Sequence, residues 1–284
     1  MLAFANRNLK VFFRDKTAVF FSLLAVFIVL GLYVLFLGDA WADSLQNIKE
    51  AKQLMNCWII AGLIGVTSVT ANMGAFGIMV EDKSKNKMKD FTVFPMKNFK
   101  LIGGYILSAF VVGSIMSVVA LAISQAYLIY IGAEALEFNQ LVEVFIVILV
   151  TTLSNSAMVL FIVSLFNSEK AFSTASTIMG TLIGFITGIY LPISMLPESV
   201  QTVVKLFPTS HGISILRQIF MERQMEVSFS NIPLSYVKEF KESMGVVYYL
   251  NDKLVSNTTS IMILIGSAVV FFLLAILIIS KKKK

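Results

Sequence analysis

The chain has 284 residues, of which 57% are AVILMFWYC and 14% are charged, with a formal net charge of +6 and a mean hydropathy of +0.82. An ordinary soluble domain carries about 25% charged residues, so a soluble globular enzyme and a disordered chain are both excluded. One cysteine, Cys57, rules out an internal disulfide framework, and one histidine, His211, leaves little from which to build a metal or catalytic centre.

The first seventeen residues predict an amphipathic helix. Leu2, Ala5, Leu9, Phe12 and Phe13 gather on one face, and Arg7, Lys10 and Arg14 on the other. Such a helix lies in the membrane interface, either as a generic anchor or as a specific element. A bilayer core about 30 Å thick needs about 20 apolar helical residues. Six stretches meet that need, near 18–37, 58–80, 103–131, 144–166, 172–191 and 259–279, and none contains Asp, Glu, Lys, Arg or His. Ala40-Trp41-Ala42 imitates a signal-peptide cleavage site, but the apolar run before it is longer than the about 7–15 residues of a signal core.

Lys and Arg set the orientation. The loops on one side hold Arg7, Lys10, Arg14 and Lys16, six lysines between Lys83 and Lys100, then Lys170 and Lys281–Lys284, which is 15 of the 23 basic residues against five acids. The positive-inside rule puts both termini in the cytoplasm. Scarce cysteine, heavy lysine use and small size suit a bacterial plasma membrane, and no nucleic-acid partner is expected.

The loop at 81–100, EDKSKNKMKDFTVFPMKNFK, carries Met88, Phe91 and Phe94 at i, i+3 and i+6 on a very basic short helix that stops at Pro95. The lysines alone are the ordinary topology signal. Three large apolar side chains in one row beside them suggest a docking surface, for a partner protein or for lipid. In the fifth segment Ser176, Gly180, Gly184 and Gly188 stand at four-residue spacing, a row that lets a second helix approach closely within one subunit or between two. Leu191–Phe220 is apolar but broken by Pro192, Pro197 and Pro208, and reads as re-entrant or interfacial helices. Met221–Asn257 is a polar external excursion, large enough for a small helical or hairpin subdomain.

No G-x-x-x-x-G-K-[ST], G-x-G-x-x-G or G-x-S-x-G occurs, so the chain has no P-loop, dinucleotide or hydrolase motif of its own. Ser210-His211 does not make a nucleophile–base pair, because the base must approach from elsewhere in the fold. The polar groups inside the crossings are neutral. Thr70, Asn72, Gln125 and Asn155 either line a pathway or hydrogen-bond between helices. A secondary carrier or channel, which places ionisable groups in the membrane, is disfavoured, so energy for transport would enter from a partner.

Taken in order, these features resemble the membrane subunit of ABC-2 type ATP-binding-cassette exporters. Asn6–Lys16 resembles the family's interfacial elbow helix and Glu81–Leu107 its coupling helix. Leu191–Gln218 resembles its re-entrant external helices, with leucine-proline, phenylalanine-proline and a following arginine. The resemblance implies an all-α membrane protein of six crossings with both ends inside. Its domain layout is an interfacial helix at 1–17 and a transmembrane domain at 18–284, with an external region at 192–257. It also implies two membrane subunits and two cytoplasmic P-loop ATPase subunits. ATP and magnesium are held by the ATPases, and this chain has neither cofactor nor catalytic residue. In that reading Met88, Phe91 and Phe94 seat in a cleft of the ATPase with Asp82, Lys89 and Asp90 as polar contacts, and the Gly180–Gly184–Gly188 row lies at the pathway or dimer contact. The expected cargo is hydrophobic or amphipathic, a drug, toxin or peptide as in multidrug export. Export of a polysaccharide or lipid-linked glycan, or a non-transport scaffold or immunity role, are the alternatives.

Overall fold

A computed structural model describes residues 1–33, 45, 48–87, 98–250 and 253–281. The elements in order are α1 (Leu2–Arg14), α2 (Lys16–Leu32), α3 (Ala51–Ser84), α4 (Asn98–Tyr130), α5 (Phe138–Leu165) and α6 (Glu169–Ile186). A 3-10 turn at Ile193–Met195 leads to α7 (Glu198–Leu206), α8 (Pro208–Ser228) and α9 (Leu234–Ser243). A short antiparallel hairpin follows, β1 (Tyr249–Leu250) and β2 (Lys253–Leu254), with Tyr249 opposite Leu254, and then α10 (Asn257–Lys281).

Local chemistry sets these boundaries. Asp15 separates α1 from α2, its carboxylate accepting from the Ala18 N–H at 3.0 Å as a helix cap. Glu137 and Gln140 form a capping box at the start of α5. Pro208 opens α8 at a position where its missing N–H costs nothing. α6 ends at Ile186, short of the expected 191, because Gly188 at φ +66° turns the chain. The Ile189 N–H then reaches back to the Gly184 carbonyl at 2.9 Å. Gly245 at φ +64° ends α9 in the same way, with Val246 N–H on the Lys241 carbonyl at 2.8 Å.

Four helices among the described residues are long and apolar enough to cross a membrane: Ala51–Ser84, Lys100–Tyr130, Phe138–Leu165 and Asn257–Lys281. α3 is their axis. It packs against α2, α4, α5, α6 and α8, and its most apolar window is 94% buried, against 17% for α10. With 34 residues it is about 51 Å long, well beyond a hydrocarbon core of about 30 Å. Glu81 and Asp82, expected at the start of a loop, are therefore the last turn of a helix. Of the two other expected crossings, α2 is described over 17 residues and α6 has 18. Between Leu191 and Phe220 the expectation was of apolar pieces of about ten residues. α7, at nine, fits, but α8 continues unbroken to Ser228, since no glycine or proline interrupts residues 213–228.

Candidate coupling and translocation site

Three polar clusters sit along α3, one near each end and one between. At the C-terminal end, α1 buries Phe4, Ala5, Asn8 and Phe12 as one face. Gly104 at the start of α4 permits that approach, since a Cβ there would lie 2.7 Å from the Phe4 ring. Docking α1 brings Arg7 onto Asp82 in a two-pronged ion pair, Nη1–Oδ2 2.5 Å and Nη2–Oδ1 3.0 Å. The Tyr105 hydroxyl of α4 donates to Asp82 Oδ2 at 2.8 Å, and Lys87 Nζ lies 3.7 Å from Oδ1. The forked pair satisfies both carboxylate oxygens with charge-assisted bonds. The bond to Asp82 raises the Arg7 pKa above its ordinary value, and partial burial opposes it only in part.

The same end of α3 is tied on its other side. Lys83 Nζ donates to the Phe166 carbonyl at 3.1 Å and to Asn167 Oδ1 at 2.5 Å, and the Ser84 hydroxyl bonds the Glu169 carboxylate. The root of the 81–100 segment is thus fastened to α1, to α4 and to the α5–α6 turn. Asp82, expected as a contact for a partner, is 1% exposed and belongs to this clamp. Met88, Lys89, Asp90, Phe91 and Phe94 lie outside the described residues.

In the middle, amides and hydroxyls join α3, α5 and α8. Asn155 donates from Nδ2 to Ser68 Oγ at 2.5 Å and accepts from Thr209 Oγ1 at 2.7 Å. Ser156 donates to Asn72 Oδ1 at 3.1 Å. Asn72 and Asn155 are completely buried, so of the two uses expected for them the geometry places them in interhelical bonding. Gln125 accepts from the Leu136 N–H at 3.0 Å and so ties the α4–α5 connection to α4. Glycines make the helix contacts close here. A Cβ on Gly65 would lie 2.2 Å from Ile213, and one on Gly212 2.2 Å from Thr151.

Near the N-terminal end of α3, Arg217 of α8 is completely buried. Its Nη1 donates to the Met244 carbonyl at 3.1 Å and its Nη2 to the Gly188 carbonyl at 2.9 Å, while the guanidinium lies 4.4 Å from the Trp58 ring centre. Trp58 Nε1 donates to Met244 at 2.7 Å. These carbonyls stand just beyond the ends of α6 and α9, where helix dipoles concentrate partial negative charge. The sequence carried the arginine only as the last residue of a pattern. Its signal was a cation set among Ile213, Ile215, Leu216, Ile219 and Phe220. His211 is likewise structural, with Nδ1 3.2 Å from Ser260 Oγ and Nε2 3.0 Å from the Lys205 carbonyl.

The face of α6 differs from the other apolar helices. Ser173, Thr174, Thr177 and Thr181 form an exposed hydroxyl stripe, each threonine bonding the carbonyl four residues before it. A groove of about 340 Å³ runs between α2, α3 and α6, with Thr70, Ser176 and Gly180 in its wall. Thr70 bonds the Ser22 carbonyl of α2 at 3.3 Å and, of Thr70, Asn72, Gln125 and Asn155, is the one that reaches this groove. The small-residue row divides by position. Gly180 faces open space, Gly184 lies beneath Tyr190, where a Cβ would come within 2.2 Å of the ring, and Gly188 is the turn that ends the helix.

No curated protein matches the chain. Residues 42–277, more than four-fifths of the sequence, match the family described as ABC-2 family transporter protein. The long apolar helices suit a membrane subunit of that kind, and the chain is a member of the ABC-2 transporter family.

Proposed function

We propose that the chain is the permease subunit of an ATP-driven exporter, with six crossings and both ends in the cytoplasm, α2 and α6 being the first and fifth. Two copies meet along the α6 face and two separate P-loop ATPases bind below, each at the 81–100 segment. The observation that carries this reading is the fastening of that segment's root. A push on residues 88–97 reaches α3 through Asp82, α4 through Tyr105 and α1 through Arg7, so a displacement below the membrane moves three helices together. Trp58 and Asp82 are about 36 Å apart along α3, so the Arg217 and Arg7 clusters stand at opposite membrane faces.

The cargo is hydrophobic or amphipathic, because the groove beside α6 is lined by apolar side chains, hydroxyls and glycines with no charged residue. ATP binding closes the ATPase pair, the clamped segment transmits the closure, and α6 and α3 shift about the pathway between the copies. The test is to tag the chain, crosslink in cells, extract in mild detergent and identify what co-purifies. A P-loop ATPase near one-to-one, lost on Phe91→Ala with Phe94→Ala, is the expected result. No ATPase after crosslinking, or one indifferent to both substitutions, overturns the assignment.

A further inference from the structure

A second groove, of about 540 Å³, lies between α4, α5 and α10 and shares no residue with the one beside α6. Ile102, Ile106 and Phe110 of α4, Leu153 of α5, and Phe272 and Ile276 of α10 form its walls. Met1 and Ser280 line its lower end, and Ser280 supplies its one polar side chain. From Ile102 to Phe110 it runs about 12 Å along the helix axis. One leaflet of hydrocarbon is about 15 Å deep. The walls flank the outward faces of α5 and α10, where Phe145, Ile146, Val269 and Leu273 are exposed as lipid-facing side chains.

We propose that this groove holds an acyl chain of an anionic phospholipid whose phosphate sits between Lys100 and Lys281. Lys100 stands two residues before Ile102 on α4, and Lys281 directly follows Ser280 on α10. Both are exposed, and each stands within two residues of a side chain that lines the groove. An apolar slot one leaflet deep, with two cations at its interfacial mouth, has the chemistry of a lipid rather than of a cargo bearing several polar groups. Those groups would find a single hydroxyl inside. Basic residues between helices at the cytoplasmic surface select anionic headgroups in this way. The choice of the inner leaflet rests on the orientation proposed above, while the ATPase plays no part in the site.

Native mass spectrometry of the full chain tests this, after equilibration in mixed micelles holding equal phosphatidylglycerol and phosphatidylcholine. One retained phosphatidylglycerol per chain is expected, favoured about 30-fold over phosphatidylcholine from the two lysines. Lys100→Glu with Lys281→Glu, both at exposed positions, should abolish the preference. Ile106→Trp should displace either lipid. Equal retention of both lipids, or a preference that survives the lysine reversal or the filled groove, overturns the proposal. Loss of ATPase co-purification with the lipid preference intact would count against the exporter reading and leave this site standing.

Discussion

Arg7 and Arg217 are held at opposite ends of α3 by opposite means. Arg7 keeps a third of its side chain in contact with solvent and is neutralised by a buried carboxylate, with a tyrosine and a lysine close by. Arg217 is sealed in, and the groups that hold it are the carbonyls of Gly188, Met244 and Gly245, just past two helix ends, and an indole face. In an ion pair at the edge of water the exposed partner, Arg7, can turn to solvent if its carboxylate is lost. A cation among dipoles has no such exit, because any motion that breaks its bonds leaves a buried charge uncompensated. On the proposed mechanism the first arrangement sits at the end that receives motion and the second at the opposite end.

Substitutions sharpen that contrast. Arg217→Ala should cost the most, about 3–5 kcal/mol, because it leaves the buried Gly188 carbonyl without its donor, takes one of two donors from the Met244 carbonyl and empties the space beside the Trp58 ring. Arg217→Lys should recover only part of it, since an ammonium cannot fork between α6 and α9. Thermal unfolding in detergent measures both. Asp82→Asn should cost less, about 1–3 kcal/mol, because Arg7 can turn to water. Its loss should shrink at high salt, whereas that of Arg217→Ala should not. Asn155→Leu should cost about 1 kcal/mol by stranding the Thr209 hydroxyl and removing the donor to Ser68. The smallest effect on stability, within about 0.5 kcal/mol, is expected for Gly180→Leu, whose side chain enters open space. That variant should nevertheless lose copy-to-copy crosslinks along α6, while Gly184→Leu should disturb Tyr190 and lower the melting temperature of the single chain.

The apolar runs and the amphipathic start were legible in the sequence because both depend on local periodicity. The helix at residues 2–14 and all four candidate spans fall where hydropathy places them, with ends moved by one to seven residues. What periodicity does not carry is which polar group meets which. Asp82 looked like a surface acid beside a basic loop, yet its partner, Arg7, lies 75 residues away. Arg217 depends on Gly188 and Gly245 taking left-handed turns, which no spacing rule links to an arginine in a third helix. The even row at Gly180, Gly184 and Gly188 reads as one contact surface, within one subunit or between two. The closest interhelical glycine contacts instead fall at Gly65 and Gly212, which form no row.

The distance between Lys10 on α1 and Lys85 at the end of α3 tests the clamp most directly. Lys10→Cys and Lys85→Cys, with Cys57→Ala, would carry spin labels in the assembled transporter, and double electron–electron resonance would be read without nucleotide and after trapping with ATP. The account predicts one narrow distance in both states, broadened by Asp82→Asn. A distance that changes between the states in the otherwise native protein, or that is indifferent to Asp82→Asn, would contradict a segment fastened to α1 through Arg7 and Asp82.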